Sequence, residues 1–241
     1  MAMRIAVVSI LPPMFDAVTQ YGVSSRAVSC KAVELTVFNP RDYAEDAHRT
    51  VDYRPYGGGP GMVMAAPPVV AAIQAAKLWC ESADFDDGSA EVVYLSPQGR
   101  DLTQSAIDEW AVRSRPLVLL CGRYEGLDER VIDRYVDTEI SLGDFVMSGG
   151  ELGAMAIFDA VVRRLPGVLG HPLSAEQDSF QGGLLDCPHY TRPEVFEGQE
   201  VPAVLKSGHH GDIRQWRQQQ AEERTRLRRP DLWKKWLEGQ D

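Results

Sequence analysis

The sequence predicts an α/β domain with a mainly parallel sheet and helices on both faces, followed by a small helical C-terminal domain. Three observations carry that expectation. Short, continuous apolar runs recur through residues 1–165 and suit strands covered on both faces. Helical patterns alternate with them, which implies parallel strands joined by crossovers. Beyond Pro166 the periodicity stops, and two charge-rich helical patterns follow.

Ile5–Ile10 is the first strand. It meets Pro12-Pro13 with no small-residue cleavage site, so it reads as a buried strand and not as a signal peptide. Val33–Phe38 is the second, and a helix is expected over about 68–80. Val92–Leu95 and Leu117–Leu120 are compact strands bounded by turn residues, with a helix over 103–113 between them. A helix over 127–135 leads to a weaker strand, Thr138–Leu142. In the helix expected over 149–165, Ala154, Ile157, Phe158, Val161 and Leu165 fall on one stripe. Gly149-Gly150 precede it, Glu151 sits in the first turn where the helix dipole favours negative charge, and Pro166-Gly167 end it. The glycine-punctuated segment 166–188 reads as a flexible interdomain linker. Helices over Asp212–Leu227 and Pro230–Leu237 then build a second domain, 189–241.

With 44 % hydrophobic and 25 % charged residues, the 241-residue chain has a globular composition. No apolar run approaches the roughly 18 residues of a membrane-spanning helix. Cys30, Cys80, Cys121 and Cys187 lie far apart and form no Cys-x-x-Cys pair, which argues against a zinc ribbon, a redox motif or a secreted disulfide framework. A cytoplasmic location is expected. The formal charge of −10 opposes indiscriminate attraction to nucleic acid or anionic membrane. It is unevenly spread: the residues from Lys206 onward carry nine basic and six acidic groups, net +3, leaving −13 for residues 1–205.

The glycine-rich stretch Arg54–Met62 lacks the Gly-Lys-Ser/Thr of a phosphate-binding loop, and Met64 breaks the dinucleotide-binding spacing. No His-Glu-x-x-His or Gly-x-Ser-x-Gly is present. Four glycines within Gly57–Gly61 exceed the needs of one turn and favour close backbone approach to a ligand or partner. Turn-rich segments follow three strands: Tyr94–Gly99, Cys121–Gly126 and Gly143–Gly150. In open α/β sheets ligands bind at the carboxyl ends of strands, so these loops can converge on one pocket. They carry no Lys or Arg cluster for a polyphosphate, which favours a nucleoside read by backbone groups.

On these residues the sequence resembles the bacterial-type tRNA (guanine-N1)-methyltransferases that modify guanosine 37, beside the anticodon. The matching segments are Arg54–Met62, Tyr94–Gly99, Cys121–Arg130, Ser141–Met155, Asp178-Ser179-Phe180, His189–Pro193, Ser207–His210 and Arg228–Leu232. They run in order through nearly the whole chain. The resemblance implies a deep trefoil-knotted fold of the SPOUT class and an obligate homodimer with its active site at the subunit interface. It implies an S-adenosylmethionine pocket built from Tyr94, Leu95, Ser96, Pro97, Gly122, Tyr124, Glu125, Gly126, Ser141, Leu142, Gly143, Asp144, Phe145, Val146, Met147, Gly149 and Gly150. Asp178 matches the family's general base and Arg163 its essential arginine. Mg²⁺ enters as a further candidate cofactor, which no ligand cluster in the sequence shows. Three positions depart from the family pattern: Tyr53 replaces a common Asp, Phe145 a frequent Tyr and Gly153 a frequent Pro.

These residue types suit the chemistry. Guanine N1 becomes nucleophilic only as its proton leaves, which a carboxylate can accept, and a fixed guanidinium stabilises the charge that spreads to O6. Arg217, Arg224 and Arg228 recur along one helical face in the net-positive tail, where they are expected to grip tRNA phosphates, with His189 a further RNA contact. His209-His210 lacks a third ligand, so no metal site is expected. Two rivals remain: methylation of another RNA base, and non-catalytic RNA binding on the same fold.

Overall fold

A computed structural model describes residues 2–81, 90–170 and 178–239, and the chain divides into two compact units, Met1–Gly170 and His171–Asp241. The first runs β1 (Met3–Val8), α1 (Asp16–Thr19), α2 (Gly22–Ser29), β2 (Val33–Phe38), β3 (Asp52–Tyr53), β4 (Val63–Met64), α3 (Ala66–Glu81), β5 (Glu91–Asp101), α4 (Gln104–Arg113), β6 (Leu117–Cys121), α5 (Glu129–Tyr135), β7 (Thr138–Ser141) and α6 (Glu151–Val162). Five of these strands form one sheet in the order β2-β1-β6-β5-β7, and every pairing within it is parallel. β3 and β4 make a separate antiparallel pair.

Alternation along β1 shows why the sheet needs two helical layers. Ile5 and Val7 pack into a cluster with Trp110 of α4 and Ile157 and Phe158 of α6. Ala6 and Val8 face the other way, against Val69, Ala72 and Ile73 of α3 and Val131 of α5. Neighbouring side chains on a strand point to opposite faces, so a run apolar at every position is stable only when both faces are covered. The stripe Ala154, Ile157, Phe158, Val161 and Leu165 is buried as its spacing predicts.

The boundaries differ from the sequence expectation for local reasons. β1 stops at Val8, because Ser9 turns its hydroxyl to a buried carboxylate. α5 starts at Glu129, not at 127, because the Asp128 carboxylate accepts the Arg130 amide hydrogen bond at 3.0 Å and caps the helix. α6 spans Glu151–Val162, shorter at both ends than 149–165. β5 is much longer than Val92–Leu95. Leu95 pairs with Ile140 of β7, the chain then loops out, and Arg100 pairs with the same Ile140. Gly99 permits this return: a Cβ there would lie 2.4 Å from the Glu139 carbonyl carbon and the Ile140 nitrogen. Helix α2 and the β3–β4 pair were not expected; α2 buries only Ser24 and Ala27, too few positions to show a period.

The second unit holds β8 (Val195–Phe196), β9 (Gln199–Glu200), α7 (Ala203–Lys206), α8 (His210–Arg228) and α9 (Pro230–Glu238). α8 and α9 cover the two helices expected from the sequence. Of the segment 166–188 read as a linker, residues 166–170 belong to the first unit and 171–177 lie outside the described residues. Residues 178–188 belong to the second unit, where the Leu185 amide donates to the Thr225 hydroxyl at 2.8 Å and Gly183 packs on Trp236. Thr225 is fully buried on α8 and passes its own hydrogen to the Ala221 carbonyl at 2.7 Å. Among the described residues no helix is long and apolar enough to cross a membrane.

Phe158 is fully buried between α6 and the sheet. Phe158→Ala should lower the unfolding free energy of the first unit by about 3–5 kcal/mol in urea titrations. Val112, 83 % exposed on α4, serves as the control: Val112→Ala should change it by less than about 0.5 kcal/mol.

Candidate active site

At the carboxyl ends of β6 and β7, and where β5 loops out after Leu95, the three turn-rich loops close round a cavity of about 270 Å³. That is close to the roughly 300 Å³ at which small-molecule sites begin. Of the seventeen positions expected to line it, Gly143 and Asp144 alone do not. Gly143 serves the loop instead: its amide is fixed by the Ser141 hydroxyl at 3.1 Å, and its carbonyl receives the Phe145 amide at 2.8 Å. Four further residues reach the cavity: Gln98, Arg123, Ile140 and Ser148. Each lies inside or beside a quoted loop, so reading whole loops, not selected positions, would have found them.

The walls are backbone held by backbone. The Gly150 amide donates to the Gly122 carbonyl at 3.0 Å, and Arg123 and Gly149 form an antiparallel bridge, so the loops after β6 and β7 make a short ribbon. A Cβ on Gly150 would sit 2.9 Å from Cys121 Cα and 3.0 Å from Leu95 Cβ. A Cβ on Gly122 would sit 2.8 Å from Tyr94 Oη. These glycines let three chain segments approach within the width of a methyl group. Tyr94 lies beneath Gly122 and Gly126, and burial, with Glu139 adding to it, pushes its hydroxyl up to about 12. It is therefore a neutral phenol at physiological pH.

The glycine-rich stretch ends on the same wall. The Glu125 amide donates to the Met62 carbonyl and the Met64 amide to the Gly126 carbonyl, both at 2.9 Å. Gly57, Gly58, Gly59 and Gly61 all have positive φ, as the sequence requires. Within the chain the close approach occurs at Gly61, where a Cβ would meet the Glu125 carboxylate. Around Gly57, Gly58 and Gly59 the space is open.

Beneath the ribbon lies a charge that sequence reading did not place. Glu151 opens α6 and is fully buried. One carboxylate oxygen accepts the Ser9 hydroxyl at 2.8 Å and the other accepts Arg123 Nε at 2.8 Å. Arg123 then donates through Nη1 to the Ser148 carbonyl at 3.2 Å. The adjoining Cys121 thiol is pushed well up by burial and by the Glu151 charge, so it stays protonated.

Arg163 stands half-buried at the C-terminal end of α6. Thirteen residues at 1.5 Å each separate it from Gly150, about 20 Å along the helix axis. Within one chain the cavity and Arg163 are thus at opposite ends of α6. Asp178 belongs to the second unit and is half-buried, at the start of a turn in which the Gln181 amide reaches its carbonyl. Arg217, Arg224 and Arg228 all lie on α8. Trp216 packs on Tyr190, and Trp233 and Trp236 stack at 5.0 Å. His189 is exposed and hydrogen-bonds through Nε2 to Asp186 at 2.7 Å. That bond and the Cys187 amide outweigh partial burial and hold the Asp186 carboxyl below its ordinary range.

One donor group among the described residues has metal-ligand spacing: Asp186, Cys187 and His189, with ligand atoms within 4.8 Å of one another. It mixes a thiol, an imidazole and one carboxylate. Mg²⁺ takes oxygen ligands in octahedral array, so this set does not suit it.

Arg123→Met should cost about 3–5 kcal/mol in urea unfolding of the first unit, because it strands a fully buried carboxylate. Ser9→Ala removes a neutral donor and should cost about 1–3 kcal/mol.

Comparison with known proteins gives the arrangement its family. Residues 3–235 match the family model described as tRNA (Guanine-1)-methyltransferase TrmD. A tRNA (guanine-N(1)-)-methyltransferase of Shewanella sediminis is 59 % identical over 230 residues, 95 % of this chain and 92 % of the relative. Proteins of the same name from an Enterobacter species and from Vibrio cholerae are each 56 % identical over 230 residues, 95 % of this chain and 88 % and 90 % of theirs. The chain therefore belongs to the tRNA (guanine-1)-methyltransferase family.

Proposed function

We propose that this methyltransferase modifies N1 of guanosine 37 in tRNA, that the cavity between the loops after β6 and β7 and the loop within β5 holds S-adenosylmethionine, and that the working site is shared between two copies of the chain. One observation carries the reading: three loops whose amides, carbonyls and glycines face one cavity that has no cationic cluster. Such a wall suits a nucleoside with an apolar and a polar edge, and it does not suit a polyphosphate. Gly122 and Gly150 let the wall segments pack directly on Tyr94, Leu95 and Cys121, which a side chain at either position would push apart. Bound there, S-adenosylmethionine supplies a methyl group on a sulfonium. Every pocket position matched to the family, from Tyr94 to Gly150, acts by shape and backbone polarity.

The chain's own groups do the acid–base work. Asp178 is the base: its carboxylate takes the N1 proton and turns the ring nitrogen into a nucleophile. Arg163 neutralises the charge that reaches O6. Holding both reactants in one geometry supplies much of the rate. The 20 Å between the pocket wall and Arg163 supports a homodimer. A guanidinium cannot span that distance, so the Arg163 that serves one pocket comes from the second copy. The same reading makes the first unit, Met1–Gly170, a trefoil-knotted SPOUT domain and the second, His171–Asp241, a tRNA-binding domain. There Arg217, Arg224 and Arg228, with His189, hold the RNA backbone, which fits the net charge of +3 from Lys206 onward. The enzyme acts in the cytoplasm, where its substrate is.

Mixing subunits tests the shared site. Gly122→Ala crowds the pocket and Arg163→Ala removes the cation, so each homodimer should lose methyl transfer. Refolded together in equal amounts, they should recover about one quarter of wild-type turnover, because each heterodimer keeps one complete site under two-fold symmetry. No recovery would place pocket and Arg163 in one chain. Asp178→Asn should lower kcat by about a hundredfold or more with little change in tRNA affinity, since it removes the base and leaves the contacts.

A further inference from the structure

Glu151 does not line the cavity, yet one of its two polar partners, Arg123, does. Its carboxylate joins Ser9, at the end of β1, to Arg123, in the loop after β6. Arg123 carries the connection to the Ser148 carbonyl in the loop after β7, and its remaining nitrogen rests 3.6 Å from the Met14 sulfur. The guanidinium thus has one nitrogen toward each of three chain segments. The loop lies directly on this pair: a Cβ on Gly149 would be 2.3 Å from Arg123 Nε and 2.7 Å from Glu151 Oε2. The Ser148–Gly150 wall therefore leaves room at Gly149 for backbone alone against the ion pair.

Burying two charges is an inefficient way to stabilise a fold, because desolvation offsets most of their attraction and an aliphatic pair of equal volume is often as stable. An ion pair does supply direction. Its hydrogen bonds fix angles and distances that apolar contacts leave free. A site built from backbone amides needs such fixing, since a displacement of about 1 Å undoes its geometry.

We infer that Glu151 is a positioning residue for the methyl-donor pocket: acting through Arg123 and Ser9, it sets the spacing between the Gly122–Gly126 and Ser148–Gly150 walls and so the affinity for the donor. The inference rests on the pocket assignment proposed above and adds a function for a residue outside the pocket. It separates two properties that a merely structural role would keep together. A structural Glu151 contributes to unfolding free energy and leaves ligand affinity of the folded protein unchanged. A positioning Glu151 changes that affinity at temperatures where the variant is fully folded.

The experiment titrates S-adenosylhomocysteine, an unreactive analogue of the donor, into the full chain by calorimetry well below the melting temperature. Glu151→Gln keeps the size and hydrogen-bonding atoms and removes the charge. Its dissociation constant should rise about ten-fold or more while that for a tRNA transcript changes less than about two-fold. Arg123→Lys keeps the charge and loses the fork to Ser148, so it should weaken S-adenosylhomocysteine binding similarly. Because the two act through one another, the double variant should bind no more weakly than the weaker single. Glu151→Gln that binds as tightly as wild type overturns the proposal, as does a double variant whose loss is the product of the single losses. Should Glu151→Gln fail to fold, Arg123→Lys decides alone: folded and unchanged in affinity, it overturns the proposal. Wild-type protein that binds no S-adenosylhomocysteine removes the pocket assignment and this inference together, an outcome distinct from loss of the Glu151 effect.

Discussion

The carboxylate of Glu151, buried at the N-terminus of α6 and shared between Ser9 and Arg123, is the constraint on which the rest of the first unit depends. It joins the ends of the neighbouring strands β1 and β6 to the start of α6. The helix N-terminus favours its charge, the guanidinium neutralises it, and the serine hydroxyl satisfies its remaining oxygen. Glycines at 149 and 150 then let two loops lie on this pair with no side chain between. The cavity above inherits its dimensions from these contacts. The apolar layers on both faces stabilise the sheet, and the polar knot at its carboxyl edge gives that sheet a site.

α6 connects the two halves of the proposed chemistry by keeping them apart. Its first residue supports the pocket wall, and Arg163 follows its last. In the proposed reading a rigid helix of this length keeps a chain from serving its own pocket with its own Arg163, and the second copy supplies that group. Charge is unevenly spread as well: residues 1–205 are net −13 and oppose indiscriminate attraction to RNA, and the residues from Lys206 onward, net +3, are the part proposed to hold it.

Much of this was legible in the sequence. Apolar runs at Ile5–Val8 and Leu117–Leu120 read as strands because both of their faces are buried, which leaves no alternation to misinterpret. The stripe from Ala154 to Leu165 gave α6, and glycine clustering after three strands gave the pocket. What could not be read was long-range. Ser9 and Glu151 are 142 positions apart, so no local pattern links their side chains. Glu151 looked like a first-turn helix acid, and its burial follows from tertiary packing alone. The return of β5 to β7 after Gly99 was equally invisible: Ser96–Gly99 has turn composition, and only the pairing of Ile140 with both Leu95 and Arg100 shows that the strand resumes. Helix α2 escaped because two buried residues make no period.

The central claim is that this chain transfers a methyl group to N1 of one guanosine in tRNA. Its most direct test incubates the full chain with methyl-labelled S-adenosylmethionine and a tRNA transcript, then digests the RNA and maps the label to an atom and a position. The account predicts 1-methylguanosine at position 37, abolished when that guanosine is replaced by adenosine and when Asp178 is replaced by Asn. Label on another atom or another nucleotide, or label that survives both replacements, would contradict it.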